Sequence, residues 1–231
     1  KSNLELFPNG WPVALNTDGN NFKNLVEIAS GGDRPNFDEA WFFWNSFPDN
    51  GSGPGNFLFD LGLGDGSLPR APGSAVDNID TVYQFDADPA LTPEEQALND
   101  EIFRVARDPQ TRRKQGLAQV PTITGEIAMP VLTLHNLGDL FVPVLNQVEY
   151  AKRVLAEGSS DLLVQRAIRG VGHCGFTPNE LATAFFDLVN WVDNGQKPAG
   201  DNFTDPAEVA SPDFGCQFTD PDGHILATPC P

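Results

Sequence analysis

From Met129 onward the chain alternates short apolar runs with amphipathic stretches. Pro130-Val131-Leu132-Thr133-Leu134-His135 is a compact apolar run suited to a strand buried on both faces. Residues 144–157 then read as a helix that stops at Gly158. Asp161-Leu162-Leu163-Val164-Gln165-Arg166-Ala167-Ile168 predicts a second strand. Thr177-Pro178-Asn179-Glu180 combines an N-cap, a first-turn proline and a capping-box acid. It opens a helix with Leu181, Ala184, Phe185, Leu188 and Trp191 on one side, closed by Asn194-Gly195. Strand, helix, strand, helix at this spacing predicts a right-handed βαβ crossover in a parallel sheet, and so an α/β fold.

Upstream the pattern is different. Residues 1 to about 85 are rich in Gly, Pro, Asn and aromatic side chains, with loop chemistry at Asn50–Asn56 and Gly62–Ser67. Trp11, Trp41, Phe42, Phe43, Trp44 and Phe47 place large apolar area among these loops, and one helix is expected near Phe37–Phe47. A second helix is expected over 92–107, with Thr92 as N-cap, Pro93, Glu94 and Glu95 in its first turn, and Leu98, Ile102, Phe103 and Val105 on its apolar side. The expected organisation is a loop-rich lid or insertion over 1–126, an α/β core over 127–200 and a tail over 201–231. No internal repeat is present.

Charge removes several functions. Acidic residues outnumber basic ones by 32 to 14, a net charge of −18, which repels nucleic acid and anionic membranes. No run of about 18 apolar residues exists to span a bilayer. The first residues, Lys1-Ser2-Asn3-Leu4-Glu5, do not form a signal peptide, so any such signal lies upstream of them. Of the three cysteines, Cys216 and Cys230 bracket a short Pro-, Gly- and Asp-rich stretch (230 − 216 = 14), which suits a disulfide pinning the tail in a secreted protein. Cys174 is then odd, either free or paired outside the chain. The other reading is three reduced thiols in a cytosolic protein.

The chemistry sits at the ends of the two strands. Asp139 follows the first after Asn136-Leu137-Gly138, and His173 follows the second within Arg169-Gly170-Val171-Gly172-His173-Cys174-Gly175-Phe176. Catalysis in parallel α/β sheets gathers at carboxyl ends of strands. A carboxylate beside an imidazole is the base half of a Ser-His-Asp system. Taken singly, Asp139 also reads as a helix-capping loop residue and His173 as a structural histidine. His135 lies inside a strand run and reads as structural; His224 lies in the tail and reads as exposed. Three scattered histidines without a close carboxylate cluster give no metal-ligand spacing, and no cofactor is expected.

Met129-Pro130-Val131-Leu132-Thr133-Leu134-His135-Asn136-Leu137-Gly138-Asp139-Leu140-Phe141-Val142-Pro143 resembles the segment that carries the acid in α/β-hydrolases, and Gly172-His173-Cys174-Gly175-Phe176 resembles the one that carries their histidine. The order in that fold is serine, acid, histidine. The His-Cys pair is similar to the tannase and feruloyl-esterase group. The resemblance implies the C-terminal part of a hydrolase sheet, with Asp139 and His173 as acid and base of a carboxylic ester hydrolase. It also implies that Cys174 pairs with a cysteine beside the nucleophilic serine. No G-x-S-x-G elbow follows an apolar strand here; Ser30, Ser52 and Ser67 lack that setting. The serine is therefore expected on an N-terminal segment or separate chain, which becomes the partner of this one, with a small-molecule ester as substrate. The alternative is a non-catalytic secreted binding module that keeps the hydrolase fold.

Overall fold

A computed structural model of the chain describes residues 12–46, 73–111, 121–224 and 226–231. Helices and strands are mixed. Strand β1 (Val131–Asn136) lies parallel to β2 (Leu163–Ile168), with Val131 opposite Leu163 and Asn136 opposite Ile168. Between them runs an α-helix over Leu145–Ala156, followed by a 3-10 turn at Ser160–Leu162. Both strands therefore end at the same level, and the loops carrying Asp139 and His173 leave the sheet side by side. This two-stranded parallel sheet is consistent with an α/β class.

In chain order the helices are α1 (Thr17–Ser30), α2 (Phe37–Ser46), α3 (Pro93–Glu101), α4 (Leu145–Ala156), α5 (Pro178–Asn194) and the single turn α6 (Pro206–Val209). Helix α5 begins as its sequence dictates. Thr177 Oγ1 accepts from the Glu180 amide and the Glu180 carboxylate accepts from the Thr177 amide; Gly195, at φ 70°, closes the helix in the left-handed region. Helix α3 shows the same capping box at Thr92 and Glu95.

Helix α3 is shorter than the expected 92–107 helix. Ile102 is extended, and Phe103 is exposed rather than on a buried side. The chain is pulled out of helical geometry by Asn78, whose Oδ1 accepts from the Val105 amide at 2.6 Å, and by Arg104, which reaches the carbonyls of Asn78 and Thr81. Helix α1 is longer than anything the loop-rich composition of this region suggested. Asn16 caps it, accepting from the Gly19 amide at 2.8 Å, and Phe22 and Val26 pack inward although Asn20, Asn21 and Asn24 are weak helix formers.

Two buried clusters hold the site. In one, Phe37, Ala40 and Trp41 of α2 pack against Leu140 and Val171, one residue from each strand-end loop. Helix α2 thus lies under both loops at once. In the other, Leu137 and Ala167 pack with Val144, Phe203, Val209 and Phe214, so the tail contributes its own core residues. Burying a Phe side chain stabilises by about 1.5–3 kcal/mol, so Phe203 and Phe214 hold the tail strongly to β2. A disulfide joins Cys216 to Cys230. Ser52, Ser67, Trp11 and Phe47 lie outside the described residues.

Candidate functional site

The loop after β1 is built by backbone contacts that leave no room for side chains. The Leu137 amide donates to the Ile168 carbonyl at 2.8 Å, and the Gly138 amide to the Gly170 carbonyl at 2.9 Å. A Cβ on Gly138 would stand 2.9 Å from the Gly170 oxygen, the Val171 Cα and the Ala40 Cβ. Glycine is therefore required by close approach between the two loops. Asn136 adds a third tie, its Nδ2 donating to the Gly172 carbonyl at 2.7 Å. Trp44 of α2 donates from Nε1 to the Gly138 carbonyl at 2.9 Å, and buried Arg34 donates from Nε to the Leu137 carbonyl at 2.8 Å.

These ties bring Asp139 and His173 together. Asp139 Oδ2 lies 2.8 Å from His173 Nδ1. The other carboxylate oxygen, Oδ1, accepts from the amides of Phe141 and Val142, each at 2.9 Å. The loop-capping and the histidine-pairing roles thus belong to different oxygens of one side chain. An ionised carboxylate only accepts, so the donor in this contact is the Nδ1–H of His173. The Asp139 side chain is 5% exposed and that of His173 40%, which leaves the imidazole reachable from solvent while its partner is shielded. The Phe141 ring lies 4.9 Å from the imidazole, tilted by 50°, and limits the ring's rotation.

Cys174 is exposed and unbridged, with Sγ 3.8 Å from His173 Nε2, and its backbone adopts φ 53°. His135 is buried with Nδ1 3.4 Å from Gln147 Nε2, and burial pushes its pKa below the ordinary value. His224 is not exposed as the tail's composition suggested. Its ring is buried against Glu180, with Nε2 2.8 Å from Oε1, because the tail folds back over the start of α5. Ser30 is committed elsewhere: its Oγ donates to the Glu27 carbonyl and accepts from Arg34 Nη2. Among the described residues no group of three or more His, Cys, Asp or Glu is placed to hold a metal, and no helix is long and apolar enough to cross a membrane.

Arg34, Trp44, Asn136 and Phe141 support the site, yet sequence reasoning did not single them out for it. Asn136 alone offered a signal, as a polar residue ending an apolar strand run.

No family model matches the chain, and no solved structure matches it. A curated relative does: an o-phthalyl amidase of Xanthobacter agilis, 27% identical over 103 residues, covering 44% of this chain and 23% of the relative. The matched part therefore spans less than a quarter of that hydrolase's length.

Proposed function

We propose that this chain supplies the acid and base of a serine hydrolase, with Asp139 as acid, His173 as base and the nucleophilic serine on an upstream segment or partner chain. The observation that carries the reading is the 2.8 Å contact from Asp139 Oδ2 to His173 Nδ1, with the imidazole reachable from solvent. In this arrangement Asp139 fixes the tautomer and stabilises the imidazolium. His173 Nε2 removes the hydroxyl proton as oxygen attacks the acyl carbon, then returns it to the leaving group. Water repeats the cycle on the acyl-enzyme. A carboxylic ester is the substrate favoured by the tannase-like and feruloyl-esterase-like His173-Cys174 pair. The likeness to an amidase extends the acyl-transfer reading to an amide bond, since the same base protonates an amine leaving group. In the tannase-like reading Cys174 bridges to a cysteine beside the serine. The disulfide fits a secreted protein.

The second reading is a binding module retaining the fold. It is favoured by the group that stands 3.8 Å from Nε2 among the described residues, the Cys174 sulfur. The test joins the chain to its upstream reading frame and assays p-nitrophenyl esters alongside anilides. Activity lost in His173→Ala, with a serine-directed phosphonate labelling the upstream segment, is expected. A joined protein inert to both substrate and phosphonate would leave the binding module; hydrolysis by the 231 residues alone, abolished by the same substitution, would place a serine within them.

A further inference from the structure

We propose that Arg169 and the disulfide-closed tail are a positioning device for the candidate base. This rests on reading His173 as that base. Arg169 is the first residue after β2, four positions before His173, and only 1% exposed. Its side chain turns away from the site into the tail. Nε donates to the Phe214 carbonyl at 2.9 Å, Nη1 to Thr228 and Pro229 at 3.2 and 2.9 Å, and Nη2 to Pro212. Its backbone amide donates to Thr219 Oγ1 at 2.8 Å. Thr219, Thr228 and Pro229 all lie within the ring that Cys216 and Cys230 close.

A guanidinium satisfied by carbonyls from just before that ring and from its C-terminal end fixes where β2 ends. Burying it unpaired is costly, so the tail cannot leave without exposing or stranding the charge. The three residues that follow are then held on their other side by the acid's loop, through Gly138 to the Gly170 oxygen and Asn136 to the Gly172 oxygen. Gly170 also packs closely on His224, where a Cβ would stand 2.8 Å from Nδ1. The tail is tied across to α2 as well, Thr228 Oγ1 donating to Glu39 and accepting from the Asn36 amide. The arm that carries His173 is therefore gripped between two walls, and the tail is one of them. Loosening that wall lets the imidazole swing from Asp139 without touching either residue.

The test uses the 231-residue chain itself and reads the His173 ring by nitrogen NMR, which reports whether Nδ1 or Nε2 carries the proton. Arg169→Ala, Arg169→Lys and the double variant Cys216→Ser/Cys230→Ser are compared with Val154→Ala, a buried change in α4 away from the site. The wild type is expected in the Nδ1–H form. In each of the three tail variants, studied well below its melting temperature, the Nδ1–H to Nε2–H ratio is expected to fall about tenfold, the factor set by losing one hydrogen bond to a charged group. Val154→Ala is expected to lower the melting temperature without moving that ratio. Should Arg169→Ala fail to fold, Arg169→Lys and the double serine variant decide. A folded Arg169 variant that keeps the wild-type ratio overturns the role of Arg169, and a folded double serine variant that keeps it overturns the role of the disulfide-closed tail. A wild type already in the Nε2–H form overturns the pairing of His173 with Asp139, and the positioning role with it.

Discussion

Replacing Gly138 with alanine tests the contact on which the two loops depend. The residue lacks a positive φ, so the backbone admits alanine, and the lost chain entropy of glycine would by itself favour the variant by about 0.4–1 kcal/mol. Sterics oppose this. The new Cβ would meet the Gly170 oxygen, the Val171 Cα and the Ala40 Cβ at 2.9 Å, and none of these is the end of a flexible side chain. Overpacking of this kind costs about 1–3 kcal/mol. Relief by separating the loops would lengthen the Gly138 to Gly170 hydrogen bond, worth about 1 kcal/mol. The net is a destabilisation of about 1–3.5 kcal/mol, or about 2–14 °C in melting temperature for a chain of this size. Gly172→Ala is the matched control, because its Cβ would find nothing nearer than 3.7 Å and its φ is also not positive. Denaturant titrations of both variants at equal m-value give the comparison. If Gly138→Ala proved as stable as Gly172→Ala, the loops would not be packed backbone to backbone, and the registration of Asp139 with His173 would need another cause.

Asp139→Asn presents either an amide NH₂ or a neutral oxygen to His173. It is expected to release the Nδ1–H tautomer in this chain, and in the joined enzyme to lower kcat by about 10³–10⁴-fold with KM little changed, read from steady-state kinetics. Glu27 offers a test in pH. Burial, with Asp33 adding, pushes it up to about 7 from 4.5, so its contribution to stability is fully present below about pH 4.5 and is lost as pH rises through about 7. Glu27→Gln keeps the neutral form, so its stability relative to wild type should rise by about 1–2 kcal/mol between pH 5 and pH 8, allowing for partial exposure; a difference independent of pH would refute the shift. Asp201, raised by burial to about 6, should behave the same way one unit lower, and Asp201→Asn measured over pH 4–7 checks it.

The strands, α4 and α5 were readable because their patterns agree with their environments. Each strand is a short apolar run, and α5 carries an N-cap, a proline and a capping acid at its start and a glycine at its end. The loops after β1 and β2 were equally readable, since their positions follow from where the apolar runs stop. What composition concealed was long-range. Helix α1 is rich in asparagine, and its stability comes from packing Phe22 and Val26 beneath α2, contacts that no local propensity reports. Helix α3 stops short of its sequence pattern: Leu98, Ile102 and Val105 keep a helical spacing, while Asn78, more than twenty residues upstream, takes the Val105 amide. The burial of His224 is hidden from the sequence for the same reason. In isolation the tail is polar and rich in turns, and only the fold shows that Glu180, already spent on capping α5, has a second oxygen facing the histidine.

Asp139 illustrates why a single-residue reading of such a site is unstable. As a loop carboxylate it accepts two amides, the ordinary arrangement for an aspartate that ends a strand and shapes a turn. Nothing in that half of its geometry calls for catalysis. Yet the same two bonds hold the carboxylate plane so that Oδ2 has one direction left to face, and the Gly138–Gly170 and Asn136–Gly172 ties deliver His173 into it. The structural role thereby creates the condition for the proposed chemical one. A carboxylate free to rotate would spend conformational entropy on each approach of the imidazole, whereas one pinned through Oδ1 has already lost that freedom in folding. On the proposed function, the orientation of the imidazole is thus built by this chain's own loops and α2 before any nucleophile reaches Nε2.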